Sequence, residues 1–268
     1  MPGSAAYAGA VQRPATEIEH VRRATRQVLR ALDDLTDEAA AAPSRLPGWT
    51  RAEVVTHLAR NADGIRAMVE AAARGEVASM YPSADVRAAG IRAGRGVNPA
   101  VLRADLRGAH DRLVDAWNAL TDDAWERPGR ASVTRTMRDF VWVRWREVAV
   151  HQVDLDLGFE ASDWPVAFVA PALDEVFATL SSRAVSTRPL VDIDYRVVTT
   201  DHERAWRVEL RGADVRVLDD DGGPADGEAV GWGCDVAAWL YGRDPRGGGV
   251  VASGDLGVLR LPRWFPYA

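Results

Sequence analysis

The residues of this sequence best able to do chemistry together are two histidines and a glutamate. Glu147 and His151 stand four apart in Arg146-Glu147-Val148-Ala149-Val150-His151, a spacing that puts both on one face of a helix. A carboxylate oxygen and an imidazole nitrogen so placed are ligands for zinc or a similar divalent ion. His57 lies between Val54-Val55 and Leu58-Ala59, in phase with apolar neighbours, and is expected to face inward too. Two ligands from one helix and one from another leave a coordination position for water or substrate, the arrangement of a catalytic site. The spacing admits a plainer reading as well, with Glu147 and His151 as a helix-face pair and His57 bonded to a neighbouring carbonyl. Residue types alone leave both open.

Other side chains divide in the same way. Asn61 and Asp63 follow His57 by a turn or more and either orient a ligand or sit as ordinary polar groups at the helix edge. Arg144 and Arg146 either hold an anionic substrate or face solvent. His110 is expected to be solvated, and His20 and His202, among charged neighbours, carry no assigned role. Cys234, the one cysteine, has no histidine adjoining it in sequence and reads as a small buried apolar residue rather than a nucleophile. Trp142 and Trp145 flank the site segment and either line a pocket or fill the core. Arg87, Arg92, Arg95 and Arg103 form a local basic stretch, a solvated face or an anion-binding loop. Gly247-Gly248-Gly249 lacks the context of a phosphate-binding loop.

These residues require helices to hold them. Ile18, Val21, Ala24, Val28 and Leu32 predict a helix over 15–34. Thr50 with Glu53 reads as a capping box opening a second helix, with Val54, His57, Leu58, Asn61, Ile65 and Met68 near one face. Residues 75–98 read as a loop with one short helix, long enough to form a lid or pocket wall. A third helix is expected from Pro99 to about Leu120, and a fourth from Ser132 or Thr134 to about Leu157, stopped by Gly158. Beyond a boundary near 158–166, a helix is expected over 166–181 and another over Cys234–Tyr241. Strands are expected around Val191–Val198, Ala205–Leu210, Val215–Leu218, Ala229–Gly231, Val250–Ser253 and Gly257–Leu261.

The whole chain sets the class. It has 268 residues, a formal net charge of −6, 47% hydrophobic and 27% charged residues, and arginine as its only strong base. An acidic balance argues against a nucleic-acid partner, and no apolar run is long enough to span a bilayer. The N-terminus has no signal-peptide pattern. The expectation is a cytoplasmic globular protein, a monomer or small homo-oligomer, without a membrane or nucleic-acid partner.

Two segments carry a resemblance. LPGWTRAEVVTHLARNADGI (46–65) and VRWREVAVHQVDLDLG (143–158) resemble the second and fourth helices of mycothiol-dependent maleylpyruvate isomerase-like proteins, which are DinB/YfiT-like metal-binding helical bundles. GCDVAAWLYGRDPRGGGVVASGD (233–255) resembles the closing region of the small domain that such proteins often append. The resemblance implies an N-terminal up-down four-helix bundle over residues 1–160, followed by a small α+β sterol-carrier-like domain over 161–268. It implies His57, Glu147 and His151 as metal ligands, with zinc expected for a mixed nitrogen and oxygen set. Asn61 and Arg144 are the expected cofactor-binding residues, and Arg243 matches a C-terminal arginine implicated in catalysis. The implied partners are mycothiol and a small electrophilic substrate. The implied activity is cis–trans isomerisation of maleylpyruvate to fumarylpyruvate, or transfer of the thiol to an electrophile. The alternative is a non-catalytic small-ligand-binding protein with a structural or vestigial metal site.

Overall fold

The structure, a computed structural model, describes residues 12–185, 188–243 and 248–267. The N-terminal residues 1–11, Gly247 of the glycine run and residues 244–246 of the closing motif lie outside the described residues. Residues up to Gly158 form one compact unit and those from Phe159 on form another. No helix among the described residues is long and apolar enough to cross a membrane.

The first unit is helical. Helix α1 (Ala15–Ala31) buries Ile18, Val21, Ala24, Thr25, Val28 and Leu29, a stripe recurring every three or four residues. A short α2 (Asp37–Ala41) follows, its first turn capped by the Thr36 side chain. Helix α3 (Arg51–Ala73) opens on a complete capping box, Thr50 accepting from the Glu53 amide while the Glu53 carboxylate accepts from that of Thr50. Helix α4 (Ala84–Arg92) is capped by Ser83, and α5 (Pro99–Ala119) by Asn98 with proline at its first position. Strands β1 (Pro128–Arg130) and β2 (Thr134–Thr136) pair antiparallel, and α6 (Met137–Asp154) starts directly after them.

Helix α3 packs against α4, α5 and α6, and α1 packs against α5 and α6. Val21, Val28, Val54, Leu58, Ile65 and Leu113 are wholly enclosed in the result. Each such side chain stabilises the fold by roughly 1.5–3 kcal/mol relative to leaving it in water. Helices α3 and α6 are buried on most sides, which is why the site residues they carry are removed from bulk water.

The start of α6 corrects an expectation. Ser132 and Thr134 belong to the β1–β2 hairpin, and the helix waits for Thr136. There the Thr136 hydroxyl and the Asp139 carboxylate satisfy each other's backbone amides. The expected loop over 75–98 holds one ordered helix, α4.

The second unit opens with α7 (Val166–Ala178) and then a five-stranded sheet. In chain order its strands are β3 (Val191–Thr199), β4 (Arg204–Gly212), β5 (Asp214–Asp219), β6 (Gly227–Gly231) and β7 (Val250–Gly254). The spatial order is β5-β4-β3-β6-β7, antiparallel except where β6 lies parallel to β3. Tyr195, Val197 and Thr199 alternate onto the buried face of β3, and Phe177 of α7 stacks on Trp206 of β4 with ring centroids 4.2 Å apart. Helix α8 (Gly233–Leu240) packs on α7. The strand expected over Gly257–Leu261 is absent. Leu256–Arg260 is a 3-10 turn capped by Asp255, running into α9 (Leu261–Trp264), whose first turn holds Pro262. Gly257 lies close against the Tyr195 hydroxyl, a seat that leaves no room for a side chain.

Candidate metal centre

The capping boxes fix where α3 and α6 begin, and so which residues face each other where they pack. His57 stands in the second turn of α3, with Asn61 and Gly64 following it along the same stripe. Glu147 and His151 stand one turn apart on α6. Across the interface His57 Nε2 lies 3.0 Å from Glu147 Oε2, and His151 Nε2 lies 3.7 Å from the same oxygen. The two imidazoles meet edge to face, centroids 4.6 Å apart. One donor atom from each of the three residues falls within 4.8 Å of the others, the one such cluster among the described residues.

This arrangement fits a divalent ion. Bonds of 2.0–2.1 Å in a tetrahedral site separate neighbouring donors by about 3.3 Å, and the 3.0 and 3.7 Å separations bracket that. Burial pushes the His57 imidazole down to about 4, against the hydrogen bond to Glu147 that opposes it. The ring is therefore neutral at pH 7, the form that binds metals. Burial alone would raise the Glu147 carboxyl. The His57 hydrogen bond and the charge of Arg146 outweigh it and hold the group well below the usual carboxylate range. Side-chain exposure is 2% at His57, 16% at Glu147 and 13% at His151, so the two α6 residues keep some accessible surface and His57 keeps almost none.

A second set of contacts orients these three. Asp154, itself fully buried, places Oδ2 2.7 Å from His151 Nδ1. A proton held there leaves the Nε2 lone pair directed at the cluster. Asn61 donates to Glu147 Oε2 at 3.3 Å, and Arg146 donates to Oε1 at 3.2 Å. Arg144, with no exposed surface, donates one nitrogen to Asn61 Oδ1 at 2.7 Å and to the Leu58 carbonyl at 2.8 Å. Asn61 thus joins Arg144 to Glu147. The Trp49 ring stands edge-on to His57, centroids 5.7 Å apart.

The remaining candidates separate cleanly. Asp63 is occupied on the helix surface, paired with Arg60 and Arg112. His110 is buried rather than solvated, and burial together with the charges of Arg144, Arg22 and Arg26 pushes it down to about 3. Trp145 packs against His20 with centroids 4.2 Å apart and belongs to the core. Arg95 is paired with Glu53 and Arg103 with Asp33, Arg92 is exposed, and Arg87 lies half-buried over the Tyr81 ring. In the second unit Cys234 is buried, and burial pushes its thiol up. That is the wrong direction for a nucleophile. Arg243 follows α8 and donates to the Tyr241 carbonyl at 2.6 Å. Asp154, Tyr81 and Trp49 were not singled out from sequence. Of these, only Asp154 carried a signal, its three-residue spacing from His151.

Residues 21–156 match the family described as the mycothiol maleylpyruvate isomerase N-terminal domain, a span holding all three clustered residues. No curated protein matches the chain. Among solved structures it is similar to a mycothiol-dependent maleylpyruvate isomerase and to a histidine-to-alanine mutant of it. Each is 23% identical, covers 89% of this chain and 92% of its own, and has a TM-score of 0.75. At that identity the likeness is one of fold. A ubiquinone synthesis protein, UbiJ-SCP2, covers 35% of this chain and 91% of its own at 17% identity, with a TM-score of 0.28, too loose a superposition to support a sterol-carrier likeness.

Proposed function

The chain belongs to the family of the mycothiol maleylpyruvate isomerase N-terminal domain, and on that premise we propose that it is a metal-dependent, mycothiol-using isomerase of a small unsaturated acid resembling maleylpyruvate. The observation that carries the reading is the convergence of His57, Glu147 and His151, from two helices, inside the span that defines the family. The pairwise packing of α1, α3, α5 and α6 supports reading the first unit as a DinB/YfiT-like four-helix bundle.

In this reading His57, Glu147 and His151 hold one divalent ion, with zinc the expected metal. When bound, such an ion supplies a positive charge that lowers the pKa of a nearby thiol or water. Asp154 keeps the His151 proton on Nδ1, so that Nε2 is free to ligate. Arg144 fixes the Asn61 amide, and Asn61 and Arg146 together fix the Glu147 carboxylate. Burial of His57 keeps that ligand neutral. The roles of Asn61 and Arg144 are thus to position Glu147. The reaction adds the thiol sulfur to the conjugated double bond, which becomes single. Rotation and loss of the same thiol restore the double bond in the trans form, so the thiol is not consumed. Arg243 is the second unit's candidate for a catalytic role. Turnover lost in Arg243→Ala with metal retained would support it.

The test is to incubate the zinc-loaded protein with maleylpyruvate, with and without mycothiol, and follow the product by proton NMR. Fumarylpyruvate forming only with the thiol, and not with Glu147→Gln, is the expected result. A stable thiol adduct without isomerised product would move the assignment to S-transfer. No reaction in either form would overturn the enzymatic reading.

A further inference from the structure

Several arginines of α3 and of the segment running from α4 into α5 have acidic partners: Arg60 with Asp105, Arg66 with Glu70, Arg95 with Glu53 and Arg103 with Asp33. Arg87 is half-buried and pairs with no carboxylate among the described residues. Its guanidinium carbon lies 5.9 Å from the centroid of the Tyr81 ring. The Tyr81 hydroxyl oxygen is enclosed, faces the Arg87 side chain, and finds no acceptor for its own proton among the described residues. Behind them Arg144 has no exposed surface, and its Nε and Nη2 also lack partners. Enclosed guanidinium nitrogens and an enclosed hydroxyl proton left without acceptors are costly unless something else supplies the acceptor.

Backbone packing brings these groups to the triad. Gly64 lies two turns along α3 from His57, on the same stripe as Asn61. A Cβ there would come within 2.8 Å of the Met80 carbonyl. The absent side chain lets residue 80, and Tyr81 after it, close onto that stripe. Residue 80 is pinned on its other side, the Met80 amide donating to the Arg130 carbonyl at 2.7 Å. Helix α4 packs along α3, with Gly90 against Arg60, which sets Arg87 one turn earlier on the same helix. The charge of Arg87 is felt at His57, and those of Glu147 and Arg144 at Tyr81.

We propose that Arg87 and Tyr81, backed by the buried charge of Arg144, form a subsite beside the triad that binds a carboxylate group of the substrate. Arg87 supplies two parallel N–H donors, a geometry that matches a carboxylate. The Tyr81 hydroxyl donates a third bond. The ligand class is a small unsaturated carboxylic acid, held by its carboxylate so that its double bond faces the triad. This identity of the ligand rests on the isomerase reading above.

Maleate, a four-carbon cis-dicarboxylate, serves as the probe. Its binding to the zinc-loaded full chain is measured by titration calorimetry, without any thiol, in wild type, Arg87→Ala, Tyr81→Phe and Arg92→Ala. The expected result is a loss of affinity of about 10- to 100-fold in Arg87→Ala, the scale of hydrogen bonds between charged groups. Tyr81→Phe loses less, Arg92→Ala binds as wild type, and zinc content and circular dichroism are unchanged throughout. The uncharged diamide of maleate does not bind. Wild-type affinity in Arg87→Ala, no maleate binding by wild type, or an equal loss in Arg92→Ala would each overturn the subsite. Because no turnover is read, a failed isomerase assay leaves this result standing, and an unchanged Arg87→Ala removes the subsite alone.

Discussion

Asp154 shows how much a site depends on residues that touch neither ion nor substrate. Its carboxylate holds His151 by the nitrogen facing away from the cluster. Outer partners of this kind commonly contribute 10- to 100-fold in metal affinity. Asp154→Asn is therefore expected to weaken zinc binding by about 10- to 100-fold, measured by competition with a chromophoric chelator. Unchanged affinity would show that the contact orients nothing. His110 carries a second expectation. Its native imidazole is held at about 3, first by burial and then by Arg144, Arg22 and Arg26, against about 6.5 in the unfolded chain. As pH falls below 6.5 the unfolded state takes up the proton first. The contribution of the neutral ring is full above 6.5 and declines toward pH 3, by about 2 kcal/mol at pH 5. Urea unfolding at pH 7 and pH 5 should show a steeper loss in wild type than in His110→Gln, and equal slopes would contradict the assignment. The burial of His110 was legible, since it lies four residues beyond Leu106 and three before Leu113, but its charged neighbours suggested solvent instead. Arg87 stood out only as one of a basic stretch, read equally as a solvated face or an anion-binding loop. Its lack of an ion pair is visible only once its surroundings are assembled.

At the level of elements, the helices that carry the cluster were readable because caps and apolar spacing agree. Thr50 with Glu53 opens α3 where the sequence indicates. Thr136 with Asp139 opens α6 a few residues later than the first serine and threonine suggest, because the reciprocal bonds to Asp139 outweigh a lone hydroxyl. The segment from 256 to 264 was misread because Val258, Leu259 and Leu261 are apolar, while the turn is decided by Asp255 and Pro262. Neither does Gly64 announce itself in sequence, being one glycine inside a long helix. Its role is to admit Met80. Gly64→Ala sets a Cβ 2.8 Å from the Met80 carbonyl and 2.9 Å from its Cγ. Overpacking of this kind should destabilise the fold by about 1–3 kcal/mol, read from the urea midpoint. An unchanged midpoint would mean that residues 78–81 are not held against α3.

For the whole molecule, helical periodicity up to residue 158 and alternation from Val191 on were enough to foresee a helical region followed by a sheet region. The order of the sheet was not foreseeable. The parallel pairing of β3 with β6 depends on the chain crossing from one side of β3 to the other after β5, and no local pattern encodes that. What the second unit contributes to chemistry, Arg243 included, is likewise beyond spacing and composition, because fold alone does not fix function. The first unit carries the central claim, that three side chains from α3 and α6 hold one divalent ion. The most direct test is the metal content of natively purified protein by mass spectrometry, beside His57→Ala prepared in parallel. About one equivalent of divalent metal per chain, expected to be zinc, lost in His57→Ala with its circular dichroism intact, is the result this account requires. Wild type that carries no metal, and takes up none on reconstitution with zinc, nickel or manganese, would contradict it.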